Sequence, residues 1–370
     1  MATYLGPRDL KSRVLPDGWD ATELEKLRTE SDISLDAIAT ELSGALAALN
    51  AELLGDPFYS MLYNLTTEPT VEYRVGSTNA VVRFPEYAPI DEKRGATQGH
   101  MLPFEDWGYA LGWTWKYLRR ARRIQIESDV AGAVQAWRDK WHKSLLTRFF
   151  KSADDSGEHK GLGPAGYSPG FAHTAGSTSV DFIPPDYNGQ AFASTHEHYD
   201  ATNSTAAADW EAAIEALAAD IAEHGHMPPY TLVCAAEDQG TIEGLTNFRP
   251  RALPEIQYGS SQDLARVSDL YFGAVGTPDG SVLCTWSHRV PQYTMGIWKP
   301  YGVRNPRNPL MVRYSNDTPL VAVPLPDKAY RSFPLEQLLI YGEFGVGVQE
   351  RTNGACHQMN TASYSDPTIT

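Results

Sequence analysis

The stretch 334-PLEQLLIYGEFGVGVQERTNGACHQMNTASYSDPTIT-370 decides how this chain is read. An apolar run from Pro334 to Tyr341 leads into Phe344-Gly345-Val346-Gly347-Val348, which reads as an alternating strand. Gln349-Glu350-Arg351 interrupts it, and a second run of small residues follows. A chain terminus is normally frayed and polar. A strand this late in the sequence predicts an end pinned into the fold.

Working outward, 370 residues are enough for two compact units and a sizeable core. With 31 basic and 46 acidic residues the net charge is −15. That balance argues against a nucleic-acid binder, which normally carries a basic footprint. Cys234, Cys284 and Cys356 are the three cysteines. No two are close in sequence, so they suggest neither a disulfide framework nor a Cys-rich zinc site, and a reducing cytoplasm fits. The opening MATYLGPRDLKSRVLPDGWD lacks an apolar signal core, and no run is read as approaching the length of a membrane span.

Residues 1 to about 20 are polar and hold Gly6, Pro7, Pro16 and Gly18, as expected of an extended arm. A short charged helix is expected over Asp20 to Ser31. A stronger one starts at the N-cap Ser34, with Leu35, Ile38, Leu42, Leu46, Leu49 and Leu53 on one face and Gly55 and Pro57 at its end. Next, Val71 to Val75 alternates, Gly76-Ser77-Thr78-Asn79 turns, and Ala80 to Phe84 runs back as a hairpin. The polar stretch Pro85 to Gly99 is either a surface loop or an arm lying on another subunit.

Val130, Val134, Trp137, Trp141, Leu145 and Phe149 form a stripe at helical spacing, predicting a long spine helix over 128–151. Residues 152 to 204 are rich in Gly, Ser, Pro and aromatics, with a strand expected at Ser179 to Ile183. A second helix is expected from Ala206 to His224, striped by Trp210, Ile214, Leu217 and Ile221 and capped by Gly225. Then come a buried strand Tyr230 to Ala235, a short helix from Glu237 to Leu245, and a hairpin turning at Thr277-Pro278-Asp279-Gly280. Strands near Met295 to Trp298, Leu310 to Tyr314 and Leu320 to Val323 complete an α+β pattern.

His196-Glu197-His198 and His224-Gly225-His226 could each hold a metal, since His at i and i+2 on a strand share a face. Against this, His224 falls at a helix C-terminus, where imidazole meets the dipole and free carbonyls. There is no HExxH, so no metal, cofactor or catalytic residue is assigned. No GxxxxGK[ST], GxGxxG after a strand, or GxSxG is present. Gly345 and Gly347 sit in a strand-like run, where Gly permits close backbone approach. Lys116, Arg119, Arg120, Arg122 and Arg123 form the one concentrated positive patch. It suits salt bridges to an acidic neighbour better than phosphate contact, because five charges alone give modest affinity.

The order of these pieces resembles the major capsid proteins of tailed bacteriophages of the Hong Kong 97 type. ALGWTWKYL at Ala110 to Leu118, FIPPDYNG, STHEHYD, RVPQYTMGIW and EFGVGVQERTNGA support the likeness, which covers nearly the whole chain. It implies an N-terminal arm with helices (1–57), an E-loop (58–104) and a P domain (105–202) holding the spine helix. An A domain (203–327) and a return to the P domain (328–370) complete the scheme, the final strand closing the P-domain sheet. Such a subunit would be structural and non-enzymatic, building pentamers and hexamers of an icosahedral shell around double-stranded DNA in a virion assembled in the host cytoplasm. Scaffolding, portal and decoration proteins would be separate chains, and no membrane is involved. The DNA would touch an acidic wall only weakly. One member of the family forms Lys–Asn isopeptide bonds aided by a Glu. Lys93 could supply the lysine, but the other positions fall near Leu335 and Gly342, against that route. An encapsulin-type nanocompartment shell and a soluble metal-dependent enzyme using the His pairs are the alternatives.

Overall fold

The computed structural model describes residues 35–75, 96–155, 169–171, 184–188, 192–193, 196–250, 270–316, 320–321 and 335–370. The arm, the helix at 20–31, the N-cap Ser34, the strand at 179–183 and Lys93 lie outside them. In chain order the elements are α1 (Leu35–Gly55), β1 (Tyr63–Thr66), β2 (Thr70–Val75), β3 (Ala96–Met101), β4 (Glu105–Thr114), α2 (Trp115–Leu118) and α3 (Arg123–Phe150). There follow β5 (Tyr199–Thr202), α4 (Ala207–Glu223), β6 (Tyr230–Ala235), α5 (Gln239–Glu243), β7 (Phe248–Pro250), β8 (Gly273–Thr277) and β9 (Gly280–Ser287). The last are β10 (Thr294–Trp298), β11 (Leu310–Tyr314), β12 (Leu335–Val348) and β13 (Ala355–Met359). Two compact units share these elements.

The first unit takes residues 1–55, 106–141 and 315–344. Helix α1 buries Ile38, Leu42, Leu46, Leu49 and Leu53, the predicted stripe. Its Ala37–Gly55 stretch is, by length and composition, apolar enough to cross a membrane, which the sequence reading had not expected. The one-sided burial instead makes it an amphipathic helix of a packed unit. Exposed ion pairs join it to α3, Glu41 to Arg123 at 3.7 Å and Glu52 to Arg138 at 2.7 Å. Such pairs contribute little next to the buried leucines. The α3 start is five residues earlier than predicted, at Arg123 rather than Ser128. The Arg122 N–H donates to Gln125 Oε1, half of a capping box, and buried Ile126 extends the apolar face. No strand forms at Leu320-Val321, which is a bend. There the Asn50 side-chain amide donates to the Val321 carbonyl and accepts from its N–H, taking the backbone groups a ladder would need.

The second unit takes residues 56–105, 142–314 and 345–370. Its seven-stranded sheet has the order β5-β13-β10-β6-β9-β8-β7. The pairs β6–β9 and β13–β5 are parallel, the others antiparallel. Helix α4 covers one face, seating Trp210, Ile214, Leu217 and Ile221 against Tyr230, Leu232, Cys284, Ile297 and Met359. All three cysteines are free and buried. Beside this sheet's core, Phe149 meets Phe171 and Trp298 edge-on at ring distances of 5.3 and 5.5 Å. A β-carbon at Gly296 would strike Phe149, so glycine makes that packing possible. Within this unit β1 also pairs in parallel with β11, Tyr63 opposite Leu310.

Two expectations change here. Strand β2 pairs with β3, Thr70 opposite Met101 and Val75 opposite Ala96, a ladder the spacing had not suggested, while the expected turn at 76–79 and return at 80–84 lie outside the described residues. Two bonds secure the base of this pairing: Leu102 N–H to the Pro69 carbonyl, and the buried His100 ring to the Val348 carbonyl. A one-residue slip would turn His100 to the other face and lose the second. The chain end also divides. The β12 strand is one continuous run beginning at Leu335, and in it Gln337 and Leu339 are exposed while Leu338 and Ile340 are buried. From Phe344 to Val348 every residue is buried, so the stretch predicted to alternate is the part buried on both faces. Its continuation β13 then pairs with β10 and β5, in the sheet that carries the A-domain strands of the expected scheme.

Candidate functional site

Of the residues singled out for chemistry, the basic cluster is the simplest. Lys116, Arg119, Arg120, Arg122 and Arg123 are all exposed, around the end of α2 and the start of α3. Arg123 is taken up by Glu127 at 2.6 Å and by Glu41. Among the described residues, the other four form no ion pair. Gly345 packs against Pro103, where a β-carbon would overlap the Pro103 carbonyl, which supports close packing at this GxG rather than a phosphate loop.

The histidine motifs behave differently from their sequence reading. Helix α4 ends in a Schellman turn: Gly225 N–H bonds the Ala222 carbonyl at 2.8 Å, and His226 N–H bonds Ile221 at 3.4 Å. Gly225 adopts φ 85°, open to glycine without strain. The turn sends His224 and His226 in different directions. His226 is held by Tyr301 Oη at 2.7 Å and Thr352 Oγ1 at 2.8 Å. His224 instead meets His196 and His198, brought up just before β5, where the Cys356 N–H bonds the His198 carbonyl.

His224 Nε2 lies 3.2 Å from His196 Nε2 and 3.1 Å from His198 Nε2. The outer nitrogens of two rings are fixed by backbone carbonyls, His198 Nδ1 by Gly354 at 2.7 Å and His224 Nδ1 by Pro185 at 2.9 Å. The Phe192 ring stacks on His196 at 3.9 Å. Burial pushes the His198 ring well below the usual histidine range and the His224 ring down to about 4. Both rings are therefore neutral at pH 7. All four histidines were legible as candidate ligands, and three of them converge, but the sequence offered no sign that the two motifs meet or that His226 stays out. That convergence depends on the pairing of β13 with β5.

No protein-family model and no curated protein sequence matches the chain. Solved structures do. One from Mycobacterium phage Patience matches with a TM-score of 0.63 and 16% identity, over 93% of this chain and 94% of the other. The asymmetric unit of the bacteriophage PhiM1 mature capsid matches with 0.49 and 12%, over 82% and 87%. The capsid of cyanophage P-SCSP1u matches with 0.46 and 8%, over 82% and 88%. The fold assignment rests on the first of these: the chain is similar throughout to the Mycobacterium phage Patience structure and has the Hong Kong 97-like α+β fold.

Proposed function

We propose that this chain is a major capsid subunit that self-assembles into pentamers and hexamers of an icosahedral shell around the double-stranded DNA of a tailed phage. The observation that carries the reading is a fold likeness to a phage structure spanning both chains almost completely. In this reading α3 is the spine helix of the P domain (105–202). The β2–β3 ribbon is the stem of the E-loop (58–104), the sheet built on β6, β9 and β10 is the A domain (203–327), and 328–370 returns toward the P domain. That β13 pairs with β10 and β5 favours ending the return at the turn after β12. The subunit works without catalysis, in the virion, with scaffolding, portal and decoration proteins as separate chains.

Physical features fit a shell wall. The net charge of −15 keeps packaged DNA mobile over its surface. The four cations left without an ion pair among the described residues suit an acidic face on a neighbouring subunit. A two-stranded ribbon alone is marginally stable in water and gains from a second subunit to lie on.

Electron microscopy of the purified protein tests the reading: closed shells or capsomers are expected, and a small monodisperse oligomer at high concentration would refute it. Replacing residues 78–93 by a two-residue Asn-Gly turn keeps both paired strands. The resulting subunit is expected to fold yet form no shells, and unchanged particles would remove the ribbon's assigned role.

A further inference from the structure

We infer that His196, His198 and His224 bind one Zn²⁺ ion through their three Nε2 atoms, joining the segment before β5 to the end of α4. The three ligand nitrogens lie within 4.8 Å of one another, two of the spacings being 3.1 and 3.2 Å. A tetrahedral zinc with bonds of roughly 2.0–2.1 Å separates its ligand atoms by about 3.3–3.4 Å, a separation the 3.1 and 3.2 Å spacings already approach.

Proton positions make the argument. A backbone carbonyl can only accept a hydrogen bond, so the Nδ1 atoms facing the Gly354 and Pro185 carbonyls both carry their proton. In a neutral ring the other nitrogen is then bare. His198 and His224 thus point two lone pairs at each other across 3.1 Å, an arrangement that no hydrogen bond between neutral rings can satisfy. A shared cation turns both lone pairs into ligands. The carbonyl contacts are the outer partners that hold metal-binding imidazoles in the required tautomer and orientation. Nitrogen-only donation suits zinc over magnesium or calcium, which prefer oxygen. Among the described residues, no fourth His, Cys, Asp or Glu joins the group, so water fills the remaining position.

The ion would fasten three pieces distant in sequence: residues 196–198, the Schellman turn at 224, and through Gly354 the turn leading into β13. It binds the folded arrangement alone and so stabilises it.

The test uses untagged full-length protein stripped with EDTA and titrated with ZnCl₂, followed by calorimetry and by metal analysis after dialysis. One zinc per subunit is expected, with a dissociation constant below about 1 µM, and the unfolding midpoint should rise by roughly 5 °C or more. His196→Asn, changing the outermost ring, should weaken binding by at least about tenfold. His226→Asn should bind as the wild type does. Fewer than one zinc per ten subunits in folded wild-type protein would overturn the site. So would His196→Asn binding undiminished, which would place the ion elsewhere. Tetrahedral Co²⁺ absorption in the wild type, lost in His196→Asn, reads the same site spectroscopically, and its absence from cobalt-loaded wild type would count against the geometry.

Discussion

The imidazole Nε2 of His100 sits 2.6 Å from the carbonyl oxygen of Val348, a residue 248 positions later in the chain. The bond fastens the base of the β2–β3 ribbon to the end of β12, where every residue from Phe344 to Val348 is buried. Since the carbonyl accepts, Nε2 carries the proton, and the neutral ring is favoured by burial, which lowers its pKa to about 4.

Replacing His100 with alanine should therefore cost about 1–3 kcal/mol, because a buried carbonyl loses its partner and a cavity opens. Chemical denaturation with an unchanged m-value would register it. Protease cleavage near residues 70–101 should accelerate more than cleavage elsewhere, and uniform acceleration would argue that the bond does not anchor the ribbon in particular.

Acid should destabilise the fold in a defined window. His100 and His357 both fall from 6.5 to about 4 through burial. Between those values the unfolded chain takes up protons that the folded one refuses. Their contribution is thus complete above about pH 6.5 and is lost as pH falls toward 4. Thermal unfolding of an Asp220→Asn variant, which lacks a buried carboxyl that titrates in the opposite sense, should show a midpoint falling from pH 7 to 4.5, and a flat profile would contradict it.

Asp220 works in the opposite sense. Burial first, then Asp200 and Glu223, raises its carboxyl to about 8. The folded state keeps a proton that the unfolded chain releases, so stability is lost as pH rises from about 4 toward 8. Asp220→Asn should raise the unfolding midpoint at pH 8 and leave it nearly unchanged at pH 4. Equal effects at both values would point to packing instead.

Gly345→Ala should destabilise by about 1–3 kcal/mol, since the new methyl meets the Pro103 backbone, which has no flexible end to move aside. Gly108→Ala is the control. There the nearest atom is the Ile340 carbonyl at 3.9 Å, and the change should be neutral or slightly stabilising. A comparison of urea midpoints separates the two.

Asn353 is fully buried and bridges two loops. Its Oδ1 accepts from the Lys299 N–H at 2.7 Å, and its Nδ2 donates to the Lys299 and Arg307 carbonyls at 2.9 and 2.7 Å. Asn353→Ala should cost roughly 2–4 kcal/mol, and Asn353→Asp nearly as much, because a carboxylate cannot donate to two carbonyls. An aspartate variant as stable as wild type would show the donated bonds to be dispensable.

Helical stripes were legible because burial repeats along one face: Leu42 to Leu53, Trp137 to Phe149 and Trp210 to Ile221 are all buried as the spacing required. Hairpin turns with local signals, such as Thr277 to Gly280, were equally plain. What escaped depends on partners remote in sequence. Nothing near Val75 announces that it pairs with Ala96, about twenty residues on. Likewise, Leu320 and Val321 look like a strand until Asn50 takes the backbone groups of Val321. The histidine cluster was half visible: each His-x-His could be read, but its assembly across 196–224 and against Gly354 belongs to the tertiary fold.

The place of β13 between β5 and β10 has a consequence for synthesis. Until residues 355–359 have left the ribosome, the seven-stranded sheet has a gap inside it, with two strand edges open to other chains. Co-translational folding can set up α4 and the hairpins but cannot seal that gap. A chain made only as far as β12 thus exposes two unpaired edges and is a ready partner for aggregation until β13 emerges.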